Sequence, residues 1–454
     1  MAWTADIMRG QNTLCQRQIR TGMALLYQGI QIMIIVLTSV CLLSPLCVHA
    51  GDVNPRQELY TPNYQIYHNV SYIGQHLRYI AAKFPSYIRL DEAYYSRNKI
   101  PQYLIQVTNF TNYPPSGSFK TSDTKAKVLL SFGEHAREFF PVESVFHLLN
   151  NITSGLHSPK DSYSRAFTKR VLSRLDLYII VLANPDGRLH IEKTKNYCWR
   201  GTSVGVDLDR NFDWNFGGPG SKADPNDEEY RGPYPHSEPE CLLYLDLTSR
   251  QHFDAFVSFH SGIRQIYVPF ADSRSKESQV VPDNIADQLQ LAKRMAKSTH
   301  QSFTYGVGYN LNDYPADGTI YDYMAGVRQI PYCLAIEMWG IGDVDGAQCF
   351  DLFNPPNEQL HIALKEVMPL YETLFDNIIR WKESEVHKYF HEVEEPVSGL
   401  SFGYFLLFLT FALFMLFLFQ HKLPYSLRPY PRKRVVSLRS LSSTFTTLGG
   451  IKMT

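Results

Sequence analysis

The chain has no closely spaced cysteines. It is 454 residues long and holds seven, and none falls in the short C-x-x-C type spacing of a thiolate zinc site. Net charge is also missing, since 44 Lys and Arg offset 44 Asp and Glu. The balance is uneven along the chain. The leader carries Arg9, Arg17 and Arg20, and the segment 421–454 carries Lys422, Arg428, Arg432, Lys433, Arg434, Arg439 and Lys452 with no Asp or Glu. What lies between is acidic, which disfavours a nucleic-acid partner. There is no internal repeat, no low-complexity tract and no sign of a second globular domain.

Long apolar runs are confined to the two ends. Ile30–Leu46 runs into Val48-His49-Ala50, with small residues where a signal peptidase reads. Residues 1–50 therefore read as leader and signal peptide; initiation at Met23 and an uncleaved anchor both fit. Leu400–Phe419 carries no charge. At a rise of about 1.5 Å per residue it spans a hydrocarbon core of roughly 30 Å. The basic tail after it, 420–454, belongs on the cytoplasmic side. The expected organisation is a body over 51–382, a polar stalk over 383–399, a transmembrane helix over 400–419 and the tail. Such a single-pass type I protein places its body on the cell surface or in a secretory or endolysosomal lumen. In that compartment Cys198, Cys241, Cys333 and Cys349 suggest two disulfides, with three pairings open. The sequons at Asn69, Asn109 and Asn151 agree with it.

The body alternates short apolar runs with helical patterns. Tyr103–Val107, Val128–Phe132, Leu177–Leu182, Phe253–Phe259 and Cys333–Ile336 read as strands. His76–Phe84, Phe140–Leu149, Leu242–Thr248, Ile285–Lys297 and Leu360–Ile378 read as helices. Asn184-Pro185-Asp186-Gly187 reads as a turn, and Ser237-Glu238-Pro239-Glu240 as a capping box. Strands alternating with helices predict an α/β fold: a mixed, largely parallel central sheet with helices on both faces.

Three apolar strands end in residues suited to metal chemistry. The first runs into His135-Ala136-Arg137-Glu138, the second ends at His260, and the third at Glu337. Alone, a His or Glu at a strand end is a soluble terminus. Together they offer two imidazoles and a carboxylate for Zn²⁺, plus one free carboxylate, where open α/β sheets bind ligands.

The ordered series His135-Ala136-Arg137-Glu138, Asn184-Pro185-Asp186-Gly187, Trp199-Arg200, Gly205-Val206-Asp207-Leu208-Asp209-Arg210-Asn211, Ser237-Glu238-Pro239-Glu240, His260-Ser261, Tyr314-Pro315-Ala316-Asp317-Gly318 and Glu337 resembles that of the zinc metallocarboxypeptidases, the carboxypeptidase A-like peptidases. The resemblance covers about Tyr60 to Ile379. It implies a carboxypeptidase-like fold, one Zn²⁺ held by His135, Glu138 and His260, and Glu337 as general base. It implies that Arg200 stabilises the developing oxyanion, that Arg210 clamps the substrate's terminal carboxylate, and that Arg137 makes a secondary contact to it. Tyr314 would close over the substrate. Its partners would be peptide or protein C-termini and, through the C-terminal helix, a membrane; the chain would act as a monomer.

One position departs from the family pattern. Asn usually precedes the clamp arginine, and here it is Asp209, an anion beside the place of the docked carboxylate. At the pocket floor, Tyr321 and Ala271 fit an apolar or aromatic preference, whereas a basic preference would need Asp272 to reach in. The resemblance also leaves no room for an inhibitory pro-domain between Ala50 and Tyr60. Two other readings stand beside the exopeptidase: a catalytically silent peptide-binding ectodomain, and an amidase for a non-standard amide bond, which Asp209 keeps open. A protease cutting internally conflicts with Arg210.

Overall fold

The computed structural model describes residues 61–112, 125–312, 314–342, 348–394 and 399–419. The expected signal peptide and basic tail lie outside them. Eight strands form one sheet: β1 Ile88–Tyr95, β2 Pro101–Val107, β3 Ala126–Phe132, β4 Leu175–Ile180, β5 Ala255–His260, β6 Arg264–Val268, β7 Thr304–Val307 and β8 Tyr332–Met338, in the order β1-β2-β4-β3-β5-β8-β6-β7. The inner run β4-β3-β5-β8 is parallel, as is β6–β7; the remaining pairs are antiparallel. The sheet is thus mixed, as expected. β1, β6 and β7 escaped the sequence reading because they are edge or near-edge strands with exposed or half-buried polar positions.

Strand pleating explains how the two layers form. In β3, Val128, Leu130 and Phe132 join one core cluster while Leu129 joins the other. The first cluster is covered by the helices Phe139–Gly155, Tyr163–Arg174, Ile285–Ser298 and Leu360–Glu394. The second lies under the helices Cys241–Arg250 and Ile320–Gly326. Fully burying one such Leu, Ile or Phe side chain stabilises by roughly 1.5–3 kcal/mol. Across the middle of the sheet, Phe132 and Phe259 stack at 4.6 Å between centroids.

The same alternation aims the functional residues. In β5, Ala255, Val257 and Phe259 face the first cluster, so Ser258 and His260 face the opposite side. In β8, Tyr332, Leu334 and Ile336 face the first cluster, which turns Glu337 the same way as His260. His260 and Glu337 are register partners.

Several expectations are corrected. The helix from Leu360 does not stop near Ile378 but continues to Glu394, through most of the expected stalk. Trp381 packs on the core and Lys382 pairs with Asp254 at 2.9 Å, which prolongs its anchorage. Asn184-Pro185-Asp186-Gly187 is not a free turn. It opens the helix Pro185–Thr194, with Asn184 accepting from the Gly187 amide and Pro185 in the first turn, where its missing N–H costs nothing. Nor is Ser237–Glu240 a capping box. The helix starts at Cys241 without a side-chain cap, because the Ser237 hydroxyl is engaged with Asn211 and Glu238 and the Glu240 carboxylate accepts from the Arg97 amide instead. Only one of the two expected disulfides forms, Cys198–Cys349; Cys241 and Cys333 are free thiols buried beneath the second layer.

Counting only residues whose side chains are described, no helix is long and apolar enough to cross a membrane. The segment expected to span does form the helix Gly399–Leu418, whose side chains are described from Gly403 onward.

Candidate active site

After β3, Gly133 turns the chain with φ +69°, and a Cβ there would lie 2.7 Å from the Leu182 side chain. Glycine therefore lets the loop pass close over the end of β4 and deliver residues 134–138. The loop is held by its backbone. Buried Arg188 donates to the carbonyls of Ala136 and Glu138, and the Ala136 amide donates to Arg200. Glu138 occupies the N-cap position of Phe139–Gly155 yet makes no cap hydrogen bond. Asn354 performs that task from 215 positions away, accepting from the amides of Phe139 at 2.8 Å and Phe140 at 2.9 Å. The Glu138 carboxylate is thereby free to face the site.

His135, Glu138 and His260 converge, with ligand atoms all within 4.8 Å of one another. His135 Nδ1 lies 2.7 Å from Glu138 Oε1, and His260 Nδ1 lies 3.1 Å from both His135 Nδ1 and Glu138 Oε2. Two ring nitrogens face each other beside both oxygens of one carboxylate. Neutral nitrogens would oppose lone pairs there, and a shared cation resolves the conflict. The spacing is also that of neighbouring ligands around a tetrahedral ion with bonds of about 2 Å. The residues fit one Zn²⁺.

The outer nitrogens are backed by carboxylates. Asp207 Oδ1 lies 3.2 Å from His135 Nε2, and its Oδ2 accepts from Arg200 Nε at 2.8 Å. Glu134 Oε2 lies 3.0 Å from His260 Nε2, while Glu134 also accepts from Ser131, Ser258 and Tyr244. Such partners fix ring orientation and raise ligand basicity. Burial works against the charged Asp207, but Arg200 and then His135 hold its carboxyl well below the ordinary range.

Glu337 faces this group. It is half-buried, and its enclosed Oε2 has no hydrogen-bond partner. Burial first, then the nearby Glu138, pushes its carboxyl up to about 7.

A cleft of about 690 Å³ opens over these residues. Arg137, Arg200, Asp209, Arg210, Tyr314, Tyr321 and Ala271 all line it, so the structure gathers every candidate from the distant motifs. Asp272 does not line it. Its carboxylate caps the helix Ser273–Ser278 and accepts from Trp214 Nε1. Tyr314 is 58% exposed at the rim, whereas Tyr321 is buried. Arg137 lies over the Phe353 ring at 4.3 Å, and the Cys198–Cys349 disulfide ties the segment before Arg200 to the helix bearing Phe353. Asp209 accepts from the Ile320 amide at 2.9 Å, and burial raises its carboxyl above the ordinary value.

Sequence reasoning missed Glu134, Arg188, Ser258 and Asn354, gave Asp207 no role, and did not single out Glu228 and Glu229. Glu228 pairs with Arg137 at 2.7 Å and Glu229 with Arg210 at 2.8 Å. Only Asp207 carried a signal, as part of the motif that runs from Gly205 to Asn211.

Fold and site together define a single-metal hydrolytic centre at the carboxyl ends of parallel strands. Residues 73–369 match the zinc carboxypeptidase family, and the chain belongs to it. It is a zinc metallocarboxypeptidase, a hydrolase with one Zn²⁺. Carboxypeptidase A2 of Mus musculus is 28% identical over 307 residues, covering 63% of this chain and 70% of the relative. Carboxypeptidase A1 of Rattus norvegicus is 30% identical over 244 residues, 51% of this chain and 52% of the relative. The chain thus spans between about half and 70% of the length of these relatives. Among solved structures, carboxypeptidase A from Helicoverpa armigera superposes with a TM-score of 0.59 at 19% identity, over 70% of this chain and 75% of that one. Bovine thrombin-activatable fibrinolysis inhibitor, in complex with tick carboxypeptidase inhibitor, gives 0.57 at 22% identity, over 70% and 99%. These two share the fold.

Proposed function

We propose that this enzyme releases the C-terminal residue of peptides or proteins, with Glu337 as general base. The observation that carries the reading is the unpartnered Glu337 Oε2, set opposite His260 in register and facing the metal-ligating group. Bound zinc supplies a water of lowered pKa and a Lewis acid for the scissile carbonyl. Glu337 accepts the proton of the attacking water and passes it to the departing amine, a task suited to a carboxyl titrating near neutrality. Arg200, held by Asp207, stabilises the charge that develops on the carbonyl oxygen. Arg210 receives the terminal group, Arg137 adds a second contact, and Tyr314 closes from the rim. Tyr321 and Ala271 suit an apolar or aromatic side chain, and the capping role of Asp272 leaves a basic preference without a partner at that position.

The reading includes a membrane anchor. The helix Gly399–Leu418 is 20 residues long without a charge, and its large apolar side chains from Tyr404 to Phe419 are exposed. The body then lies on the non-cytoplasmic side.

A peptide ladder read by mass spectrometry tests the activity. Single-residue losses from the C-terminus, stopped by a chelator, are expected; internal fragments would overturn the reading. For the anchor, the full chain should stay in the membrane fraction through an alkaline carbonate wash while a chain ending at Glu394 is released. Release of both would remove the anchor.

A further inference from the structure

The terminal-group site is already neutralised from within the chain. Arg210 is only 4% exposed, and each of its nitrogens is engaged: Nε donates to the Gly220 carbonyl at 2.9 Å, Nη1 to the Asp209 carbonyl at 3.0 Å, and Nη2 to Glu229 Oε1 at 2.8 Å. Asp209 Oδ2 lies 3.9 Å from Nη1. Asp207 Oδ2 lies 3.9 Å from the same nitrogen. The guanidinium fork thus has carboxylates on both sides, of which Asp209 and Glu229 line the cleft. Glu229 is held in place by its own loop. Its carbonyl accepts from the Lys222 amide, its amide donates to Asp227, and Arg231 returns a bond to Lys222. A substrate carboxylate arriving here would meet Arg210 between two anions and Arg137 already paired with Glu228, and like charges at contact distance repel.

We propose that Glu229 is a specificity-determining residue that, with Asp209, fits the terminal-group site to an uncharged C-terminal carboxamide. A carboxamide brings one acceptor and one N–H₂ donor. Arg210 offers the donor for its oxygen, and the flanking carboxylates accept from its nitrogen. A carboxylate has no hydrogen to give them and leaves two acceptors unmatched, an arrangement that sites built for hydrogen bonding reject strongly. The reaction remains the hydrolysis of the last peptide bond. Water adds across it, the shortened peptide gains a carboxyl group, and the amino-acid amide leaves with a free amine.

The inference rests on the proposed exopeptidase activity, and paired peptides separate the two. Each pair is identical except for a terminal carboxylate or carboxamide, and the zinc-loaded full chain is assayed for the released amino acid or amino-acid amide. The amide should be cleaved with kcat/KM within about tenfold of the acid, or better. Glu229→Gln should shift the amide-to-acid ratio toward the acid by about tenfold, chiefly through a lower KM for the acid, with zinc content and Tm unchanged. A wild-type preference for the acid greater than about tenfold, or a ratio that Glu229→Gln leaves in place, overturns the inference alone. Release of neither product overturns the proposed function as well. If Glu229→Gln loses zinc or melts early, Asp209→Asn serves as the second variant, and an unmoved ratio there overturns the inference equally.

Discussion

The cleft has two walls, and they are built differently. One is made of strand ends. His260 and Glu337 hold adjacent register positions on β5 and β8, and the loop bearing His135 and Glu138 follows β3, which is flanked by β4 and β5. The other wall is irregular chain, where Arg200, Asp209, Arg210, Glu228 and Glu229 hang on turns, one short 3-10 segment and ion pairs. Metal chemistry tolerates little displacement of its ligands, so it sits where the packed sheet fixes position. Recognition of the substrate's end can vary without harm to the fold, so it sits on loops. The acids that flank Arg210 are all on the loop wall, where such changes cost the fold least.

The largest test is aimed at the strand wall. Glu337→Gln should lower kcat by roughly 10²–10⁴-fold, the range of a lost general base, while zinc content by atomic absorption stays at one per chain. Turnover that survives would show that the strand wall binds the metal but does not supply the base. Cys198→Ser comes next and probes how the loop wall is held. The disulfide closes a separation of 151 residues, and its loss should cost about 2–5 kcal/mol of stability in denaturant unfolding. Because it ties the segment before Arg200 to the helix under Arg137, KM should rise more than zinc affinity falls. Equal losses of both would dissolve the distinction between the walls. A smaller effect, on the metal alone, is expected for Glu134→Gln. The amide no longer offers a carboxylate to His260 Nε2, and zinc affinity should weaken by about 10–100-fold, measured by competition with a chromophoric chelator. An unchanged affinity would mean that Ser258 alone, 2.5 Å from the same nitrogen, orients the ring.

The strand wall was the legible one. Apolar runs ending in His260, Glu337 and the His135–Glu138 step are visible because a strand buried on both faces admits few polar residues, and its end is conspicuous. The partners behind those ligands were not legible. Glu134 directly precedes His135 and reads as another soluble residue at a strand end, yet it is fully buried because Ser131, Ser258 and Tyr244 are folded onto it from three elements. Cysteine arithmetic failed for a related reason. Cys241 and Cys333 behave as small apolar side chains in the second core layer, and spacing cannot separate a buried thiol from half of a disulfide. Asn184-Pro185 was misread because one chemistry, an Asx acceptor with a proline of fixed φ, serves turns and helix starts alike. The loop wall's acids were invisible as a group, since only the fold brings Glu229 to Arg210.

The smallest expected effect comes from the residue that joins the walls. Asn354 caps Phe139–Gly155 in place of Glu138 and donates to the Arg137 carbonyl at 3.0 Å, so it braces a ligand loop and a cleft arginine together. Asn354→Ala leaves two helix-terminal amides without a fixed acceptor, which should cost about 1–2 kcal/mol, the range of a lost N-cap. Glu138 then becomes the nearest acceptor for its own helix. A carboxylate that turns to cap Phe139 is one that turns away from the metal. Zinc affinity should therefore fall together with Tm in this variant, and excess zinc should restore part of the lost stability, because binding to the folded state draws the carboxylate back. Tm that falls with zinc affinity intact would show that the position of Glu138 is set by Arg188 and the loop backbone alone.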